Sequence, residues 1–172
     1  MIAVSTREEA EDMARESGGT AFCRMDTPLG TVRIEANDQG ITSLQFVDEP
    51  FEVPDAPDNQ WLRAAAAQLQ EYFQGARRRF DLPLLPSGTD FQRKVWRALA
   101  EIPYGETRSY TQVAGASGHP NAARAVGAAC GRNPMLILIP CHRALGANGS
   151  LTGFAAGLAR KRGLLALERQ EA

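Results

Sequence analysis

Residues 135–146 read MLILIPCHRALG, an apolar run and a proline followed directly by a thiol, an imidazole and a guanidinium. A short apolar run bounded by proline predicts a buried, extended segment. Burial alone raises the pKa of a cysteine and makes it inert, whereas an adjacent base generates the reactive thiolate. Neighbouring side chains on an extended stretch point to opposite faces, so Cys141 and His142 need a tight turn or a bridging water to act together. The alternative is a structural cysteine beside a surface histidine and arginine.

Two short helical patterns precede this run. The first, SYTQVAGASG at 109–118, opens with a capping box formed by Ser109 and Gln112. The second, HPNAARAVGAACG at 119–131, places Pro120 in its first helical turn. Two short helices around a glycine-containing turn have the length of a helix-turn-helix, although any helical bundle also offers such pairs.

The second of these helices has an unusual composition for a DNA reader. Its only charged residue is Arg124, whereas a helix that reads base edges normally carries several polar side chains. The small residues Ala123, Ala125 and Gly127 would let the backbone come close to a partner, with Arg124 as a single wedge. This pattern favours binding that does not read sequence.

The first half of the chain predicts an antiparallel meander. Val32 and Ile34 alternate with Arg33 and Glu35, which is typical of a half-buried strand, and turn residues flank this run on both sides. The strand-like runs are TAFCRMD, TVRIEA and ITSLQFV, at 20–26, 31–36 and 41–47. A final strand is expected from ARRRFDLPL at 76–84.

Helical spacing and capping signals predict further helices. Residues 60–75 form an amphipathic pattern that ends at Gly75, and residues 91–102 form another that is capped by Thr89 or Asp90. A short helix is expected at 6–17. The linker LLPSGTD indicates a domain boundary near residue 88. The expected organisation is an N-terminal extension at 1–19, a strand-rich domain at 20–88 and a helical domain at 89–172, an α/β (α+β) fold.

Charge is distributed unevenly along the chain. Residues 1–90 carry 8 basic and 16 acidic side chains, a net charge of −8, and residues 91–172 carry 11 and 4, a net charge of +7. A basic half indicates a polyanionic partner, although chance clustering on a solvated surface gives the same count.

The composition argues against several classes of protein. Three widely spaced cysteines and two histidines argue against a four-ligand zinc site. No apolar run approaches the roughly 18 residues of a membrane span, and the acidic N-terminus is unlike a secretory signal. We expect a cytoplasmic protein with free thiols and no membrane association.

Residues 132–168, RNPMLILIPCHRALGANGSLTGFAAGLARKRGLLALE, resemble the active-site region of the O6-alkylguanine-DNA alkyltransferases, the methylated-DNA–protein-cysteine methyltransferases. That family carries a Pro-Cys-His-Arg block at the end of an apolar run, preceded by an Asn-Ala-Ala-Arg-Ala-Val-Gly helix and an Asn-Pro turn. All three occur here in that order, and the resemblance extends from Phe91 to Glu168. It implies an N-terminal RNase H-like domain with an antiparallel sheet and a winged helix-turn-helix domain that carries the active site.

The resemblance assigns roles to the polar residues around the motif. It implies that Cys141 accepts the alkyl group, that His142 reaches the thiol through water and that Glu168 orients His142. Asn133 falls on the turn residue that ties the DNA-contacting segments to the site. Arg143 falls on the motif arginine, with a structural role.

The resemblance also implies the contacts with DNA and substrate. Arg124 would enter the duplex where the flipped base was, and Tyr110 would help to rotate the nucleotide and donate a hydrogen bond to the departing base. The expected DNA contacts include Ala123, Ala125 and Gly127, and the expected substrate contacts are Phe154, Ala155 and Leu136. Phe154 keeps the aromatic ring of the family's lid without a hydroxyl. Some members bind zinc in the first domain, but this chain lacks the histidines for it.

The activity implied is irreversible, single-turnover transfer of an alkyl group from O6-alkylguanine, with O4-alkylthymine as a possible second substrate, to Cys141. The partner would be double-stranded DNA, bound without sequence specificity through the minor groove by a monomer. No metal and no organic cofactor are required. The alternatives are a DNA-binding module that senses the lesion without transfer, and a Cys-His hydrolase.

Overall fold

A computed structural model of the protein describes residues 20–49 and 59–170. The expected extension at 1–19, with its helix at 6–17, and most of the loop at 48–59 lie outside these residues. The chain divides into two compact units, Met1–Ser87 and Gly88–Ala172, and each is described by itself. Within the described residues, no helix has both the length and the apolar character needed to cross a membrane.

The first unit contains a three-stranded antiparallel sheet in the order β1-β2-β3, as the alternating pattern predicts. Its strands are β1 (Ala21–Thr27), β2 (Gly30–Ala36) and β3 (Ile41–Phe46). On the central strand, Val32 and Ile34 are fully buried. The residues that alternate with them, Arg33 and Glu35, form an ion pair at 2.9 Å. The period of two therefore directs one face of the sheet into the core.

A helix, α1 (Gln60–Phe73), covers the buried face of this sheet with Leu62, Ala65, Leu69 and Tyr72. It begins at Asn59, whose side chain accepts from the backbone N–H groups of Trp61 and Leu62 at 2.9 and 3.1 Å. The final strand expected at 76–84 is wrong as a full strand. Only Leu84 pairs, through a parallel bridge to Ile41, because the arginine-rich residues before it form turns instead of an extended run.

The second unit is helical, with α2 (Asp90–Ala100), α3 (Tyr110–Ala116), α4 (Ala123–Gly131) and α5 (Leu158–Gln170). Thr89 caps α2 and Ser109 caps α3, each in a complete capping box with the glutamine three residues later. The indole N–H of Trp96 donates to the carbonyl oxygen of Ala129 at 3.0 Å, which joins α2 to α4 through a buried hydrogen bond. The helix pair α3 and α4 confirms the two helices expected on either side of the turn.

The start of α4 differs from the expectation. Pro120 lies in the turn before the helix, because the N–H of Ala122 donates to the carbonyl of His119 at 2.9 Å and the first helical residue is Ala123. The N-cap residue, Ala122, has no side chain that could cap the first turn. A two-residue strand, β4 (Arg108–Ser109), pairs in parallel with β5 (Ala144–Leu145) and joins the start of α3 to the Cys-His-Arg segment. The mixed α/β architecture, with a sheet followed by a helical unit, is confirmed.

Candidate active site

Cys141 opens a one-turn 3₁₀ helix, Cys141–Arg143, and is 2% exposed. The tight turn replaces the extended geometry that would have placed Cys141 and His142 on opposite faces. The side-chain amide nitrogen of Asn133 lies 3.1 Å from Cys141 Sγ and 2.8 Å from the carbonyl oxygen of Ile139. The other end of the amide, Oδ1, accepts from the N–H of Met135 at 2.9 Å. The structure thus brings Asn133 directly to the thiol.

The carboxylate of Glu168, on α5, is fully buried and is held by two basic side chains. His142 Nε2 lies 2.7 Å from Glu168 Oε1. Arg143 donates through Nε to Oε2 and through a terminal nitrogen to Oε1, both at 2.9 Å, and its other terminal nitrogen donates to the carbonyl of Ile102 at 2.6 Å. Hydrogen bonds and positive charge from these partners outweigh burial and hold the pKa of Glu168 well below its usual range.

The imidazole of His142 is poised as a neutral base. Burial lowers its pKa below the ordinary value, against the opposing influence of Glu168. An ionised Glu168 can only accept, so Nε2 carries the ring proton and Nδ1 is the basic nitrogen. Nδ1 is buried and has no hydrogen-bond partner among residues 20–49 and 59–170. A neutral ring with an unoccupied basic nitrogen can take up a proton from an acid in its vicinity.

The thiol of Cys141 is neutral at rest. Burial raises its pKa to about 11, although the hydrogen bond from Asn133 and the charge of Lys161 act in the opposite direction. A second buried thiol, Cys130 on α4, has a pKa raised to about 12, with burial as the main cause and Cys141 as a contributor. The three cysteines are free in the structure. Reaction at Cys141 therefore requires removal of its proton.

Lys161 is a site residue that the sequence analysis did not identify. It is fully buried, and its ammonium group donates to the carbonyls of Ala144 at 2.7 Å and Thr152 at 3.0 Å, with Gly153 at 3.4 Å. Burial lowers its pKa, and a thiolate at Cys141 would raise it. A basic residue in the pattern LARKRG resembles a solvated helix face, so the sequence contained no local signal for this position.

Tyr110, the first residue of α3, lies beside Lys161 and contacts one of the same backbone carbonyls. Its hydroxyl donates to the carbonyl of Thr152 at 2.7 Å and lies 3.4 Å from Lys161 Nζ. Burial raises the pKa of this phenol. Tyr110 and Lys161 together hold the 152–157 loop, TGFAAG, which contains the predicted substrate contacts Phe154 and Ala155. The third predicted contact, Leu136, is buried in the turn before Cys141.

Four of the predicted DNA contacts lie on the outer face of α4, and the fifth, Tyr110, is the first residue of α3. Arg124 and Ala125 are exposed, and Ala123 and Gly127 are partly exposed. A Cβ atom added at Gly127 would meet nothing within 4 Å, so the fold does not require glycine there. Val126, Ala129 and Cys130 point inward. The exposed face is consequently a nearly smooth strip with one long side chain. Among the described residues, no group of three or more histidine, cysteine or acidic side chains is arranged to hold a metal ion.

Comparisons with known proteins match both units. The family model described as 6-O-methylguanine DNA methyltransferase, DNA binding domain, matches residues 90–170, and the one described as its ribonuclease-like domain matches residues 23–86. A methylated-DNA–protein-cysteine methyltransferase of Methanosarcina acetivorans is 46% identical over 151 residues, which cover 86% of this chain and 97% of that protein.

Two crystal structures from Mycobacterium tuberculosis are similar along most of the chain. The O6-methylguanine methyltransferase has a TM-score of 0.80 at 44% identity, covering 90% of this chain and 95% of the other. The structure of OGT in complex with DNA has the same TM-score and identity, covering 88% and 94%.

Replacing Lys161 with methionine should loosen the 152–157 loop and destabilise the second unit. The carbonyls of Ala144 and Thr152 would lose a charged donor, which costs about 1–3 kcal/mol of unfolding free energy. Urea unfolding measures the loss, and chymotrypsin cleavage after Phe154 should become faster. Arg162→Met, an exposed neighbour on α5, is the control. Equal stability and cleavage in the two variants would contradict the role of Lys161.

Acidification should destabilise the second unit. His142 and Glu168 both have folded-state pKa values below their unfolded values of about 6.5 and 4.3, so the unfolded chain binds more protons as pH falls. Stability is full above about pH 6.5 and is lost progressively below it. In a Trp61→Phe background, Trp96 is the sole tryptophan and its fluorescence reports urea unfolding of this unit.

Glu168→Gln is the comparison for the acidification experiment. It removes the carboxyl titration, so the urea midpoint should depend less on pH below about pH 5 than in the parent. The same pH dependence in both proteins would show that the buried carboxylate does not contribute.

Proposed function

This chain belongs to the 6-O-methylguanine DNA methyltransferase family, and from that membership we propose how its residues carry out direct alkyl-transfer repair of DNA. Cys141 Sγ attacks the alkyl carbon attached to guanine O6. The sulfur–carbon bond forms as the carbon–oxygen bond breaks, and the O6 electron pair returns to the base, which takes up a proton to become guanine. The thioether cannot be hydrolysed by any group in the site, so each molecule reacts once. The contact of the Cys141 thiol with Asn133, in the same turn as the His142 that Glu168 holds, carries this proposal.

His142 is the proposed base. Its Nδ1 accepts the thiol proton, directly or through a water, while Nε2 stays bonded to Glu168. The ionised carboxylate stabilises the imidazolium that forms, and Arg143 keeps the carboxylate ionised and in place. Asn133 donates a hydrogen bond to the sulfur and stabilises its charged form. Burial still leaves the pKa of the thiol raised to about 11 with this hydrogen bond in place, so the proton has to pass to His142 for the sulfur to attack.

Tyr110 is the proposed donor to the departing base. Its hydroxyl donates to the carbonyl of Thr152, so it has to change partner in order to donate to a base. Lys161 donates to the same carbonyl at 3.0 Å, so the Thr152 oxygen keeps a hydrogen bond when Tyr110 leaves it. Phe154 and Ala155 of this loop, with Leu136, are the proposed contacts of the base and its alkyl group.

The exposed face of α4 is the proposed DNA surface. A target atom inside a base pair becomes accessible only when its nucleotide leaves the stack, at a cost of a few kcal/mol. The smooth strip formed by Ala123, Ala125 and Gly127 allows close approach through the minor groove, and Arg124 fills the space left by the base. Backbone amides in the first turn, which the N-cap residue Ala122 cannot cap, are available for phosphates. One monomer acts on one lesion, in the cytoplasm and without sequence preference.

Incubation with duplex DNA that contains O6-methylguanine should increase the intact mass of the protein by one methyl group. Cys141→Ala should abolish the gain, and Cys130→Ala, which removes the other buried thiol of this unit, should retain it. Tight binding without a mass gain would support a lesion sensor instead. Ester or peptide turnover beyond one equivalent would support a hydrolase.

Arg124→Ala should slow repair of duplex DNA by about tenfold or more. Leaving the space in the base stack unfilled raises the free energy of the flipped state by about 1–2 kcal/mol. Transfer from free O6-alkylguanine should be unaffected, since no stack is opened. Lys94→Ala removes one positive charge from α2 and is the control for electrostatic affinity alone. Equal losses on duplex and free base would refute the role of Arg124.

A further inference from the structure

The backbone before Cys141 adopts an unusual conformation at one residue. Ile137 has φ of 73°, and within residues 20–49 and 59–170 it is the only residue other than glycine with positive φ. The N–H of Leu138 donates to the carbonyl of Leu136 at 2.9 Å, which closes a three-residue γ-turn centred on Ile137. A second γ-turn follows at Pro140, where the N–H of Cys141 donates to the carbonyl of Ile139 at 2.8 Å. Two γ-turns therefore bend the backbone just before Cys141.

A β-branched residue is a poor choice for this conformation. Positive φ brings the Cβ atom close to the backbone carbonyl, and a branched side chain makes the clash worse. Such residues persist only where the surrounding structure holds them in place. Here the whole run from Met135 to Ile139 is 0–1% exposed, and the N–H of Ile139 donates to the carbonyl of Met135 at 2.9 Å. Burial of the isoleucine side chain therefore holds a backbone that its own geometry disfavours.

This turn is linked directly to Asn133. The amide of Asn133 accepts from Met135 N–H at the beginning of the turn and donates to the Ile139 carbonyl at its end, at 2.9 and 2.8 Å. The same amide nitrogen lies 3.1 Å from Cys141 Sγ and directs its remaining hydrogen at the sulfur. If the turn opened, Met135 and Ile139 would separate and the amide could not keep all three contacts. The orientation of this side-chain donor to the sulfur therefore depends on the conformation at Ile137.

We propose that Ile137 is a positioning residue, which keeps a strained turn closed by burying its side chain and thereby aims the Asn133 amide at Cys141. The inference rests on the proposed function of Cys141 as the alkyl acceptor. It extends that function to a residue that contacts neither the substrate nor the sulfur. Besides His142, the proposed base, the ionisable groups coupled electrostatically to Cys141 are Lys161 on α5, Cys130 on α4 and Tyr110 on α3, and none lies on the γ-turn at Ile137.

The backbone strain at position 137 is measured by comparing the stability of Ile137→Gly with that of Ile137→Ala. Both substitutions remove the buried side chain, but only glycine accepts positive φ without a clash. In the Trp61→Phe background, Ile137→Gly should have the higher urea midpoint of the two. At the control position Leu165, which is buried in α5, the order should reverse and glycine should be the lower. A lower urea midpoint for glycine than for alanine at both positions would show that the backbone at Ile137 is not strained.

The positioning role is measured by the titration of Cys141. The ultraviolet absorbance of the thiolate is followed against pH for each variant, with subtraction of the same variant carrying Cys141→Ala. Asn133→Ala should raise the pKa of Cys141 by about one unit, the size of one hydrogen bond to a charged group. Ile137→Ala should shift it in the same direction, and Ile137→Val, which keeps a buried branched side chain, should stay near the parent.

The double variant Ile137→Ala/Asn133→Ala decides whether the two residues act as a unit. Its titration should match that of Asn133→Ala alone, because a misplaced amide and an absent one have the same effect on the sulfur. Additive shifts, or an unchanged pKa in Ile137→Ala, would overturn the proposal. None of these readouts needs alkyl transfer, so a parent protein that gains no methyl group would refute the proposed function and leave this result standing.

Discussion

The site depends on one buried carboxylate. Removing an ion from water costs several kcal/mol unless partners replace its hydration, and Glu168 is fully buried. Arg143 contacts both of its oxygens and His142 contacts one of them. Two of the three residues in the turn that begins with Cys141 are thus held by a single group near the end of α5. The turn cannot shift without leaving charge unpaired, and this constraint holds the thiol against Asn133.

The sequence predicted the elements that local rules determine. Alternation at Val32 and Ile34 predicted the central strand, and a cap at Thr89 or Asp90 and a capping box at Ser109 predicted the starts of two helices, because each signal lies within a few residues of the feature it produces. The positions of Cys141, His142 and Glu168 came from the family resemblance, and the structure brings all three together with Asn133. The start of α4 was misplaced, because proline at a first helical turn and proline in the preceding turn have the same local sequence.

Two features could not be predicted, and both arise from long-range packing. Lys161 is buried because carbonyls from β5 and the 152–157 loop converge on it, and none of these is adjacent in sequence. The γ-turn at Ile137 contradicts the local preference of isoleucine, which favours an extended strand. The sequence therefore indicated a straight buried segment, whereas the fold bends it twice. Deviations of this kind from local preference concentrate where a backbone has to present a reactive group.

The near-complete shielding of Cys141 also has a consequence for how long the protein remains useful. Cys23, on an outer strand, is only partly covered, whereas Cys141 is 2% exposed and protonated at neutral pH. Peroxides and small electrophiles in solution react with exposed thiolates, so they meet an unfavourable target here. In the mechanism that we propose, the protein consumes its own side chain as the reagent and is not regenerated by turnover. Shielding of the thiol would then reserve its reaction for encounters with damaged DNA and reduce losses to oxidation or alkylation by small molecules in solution.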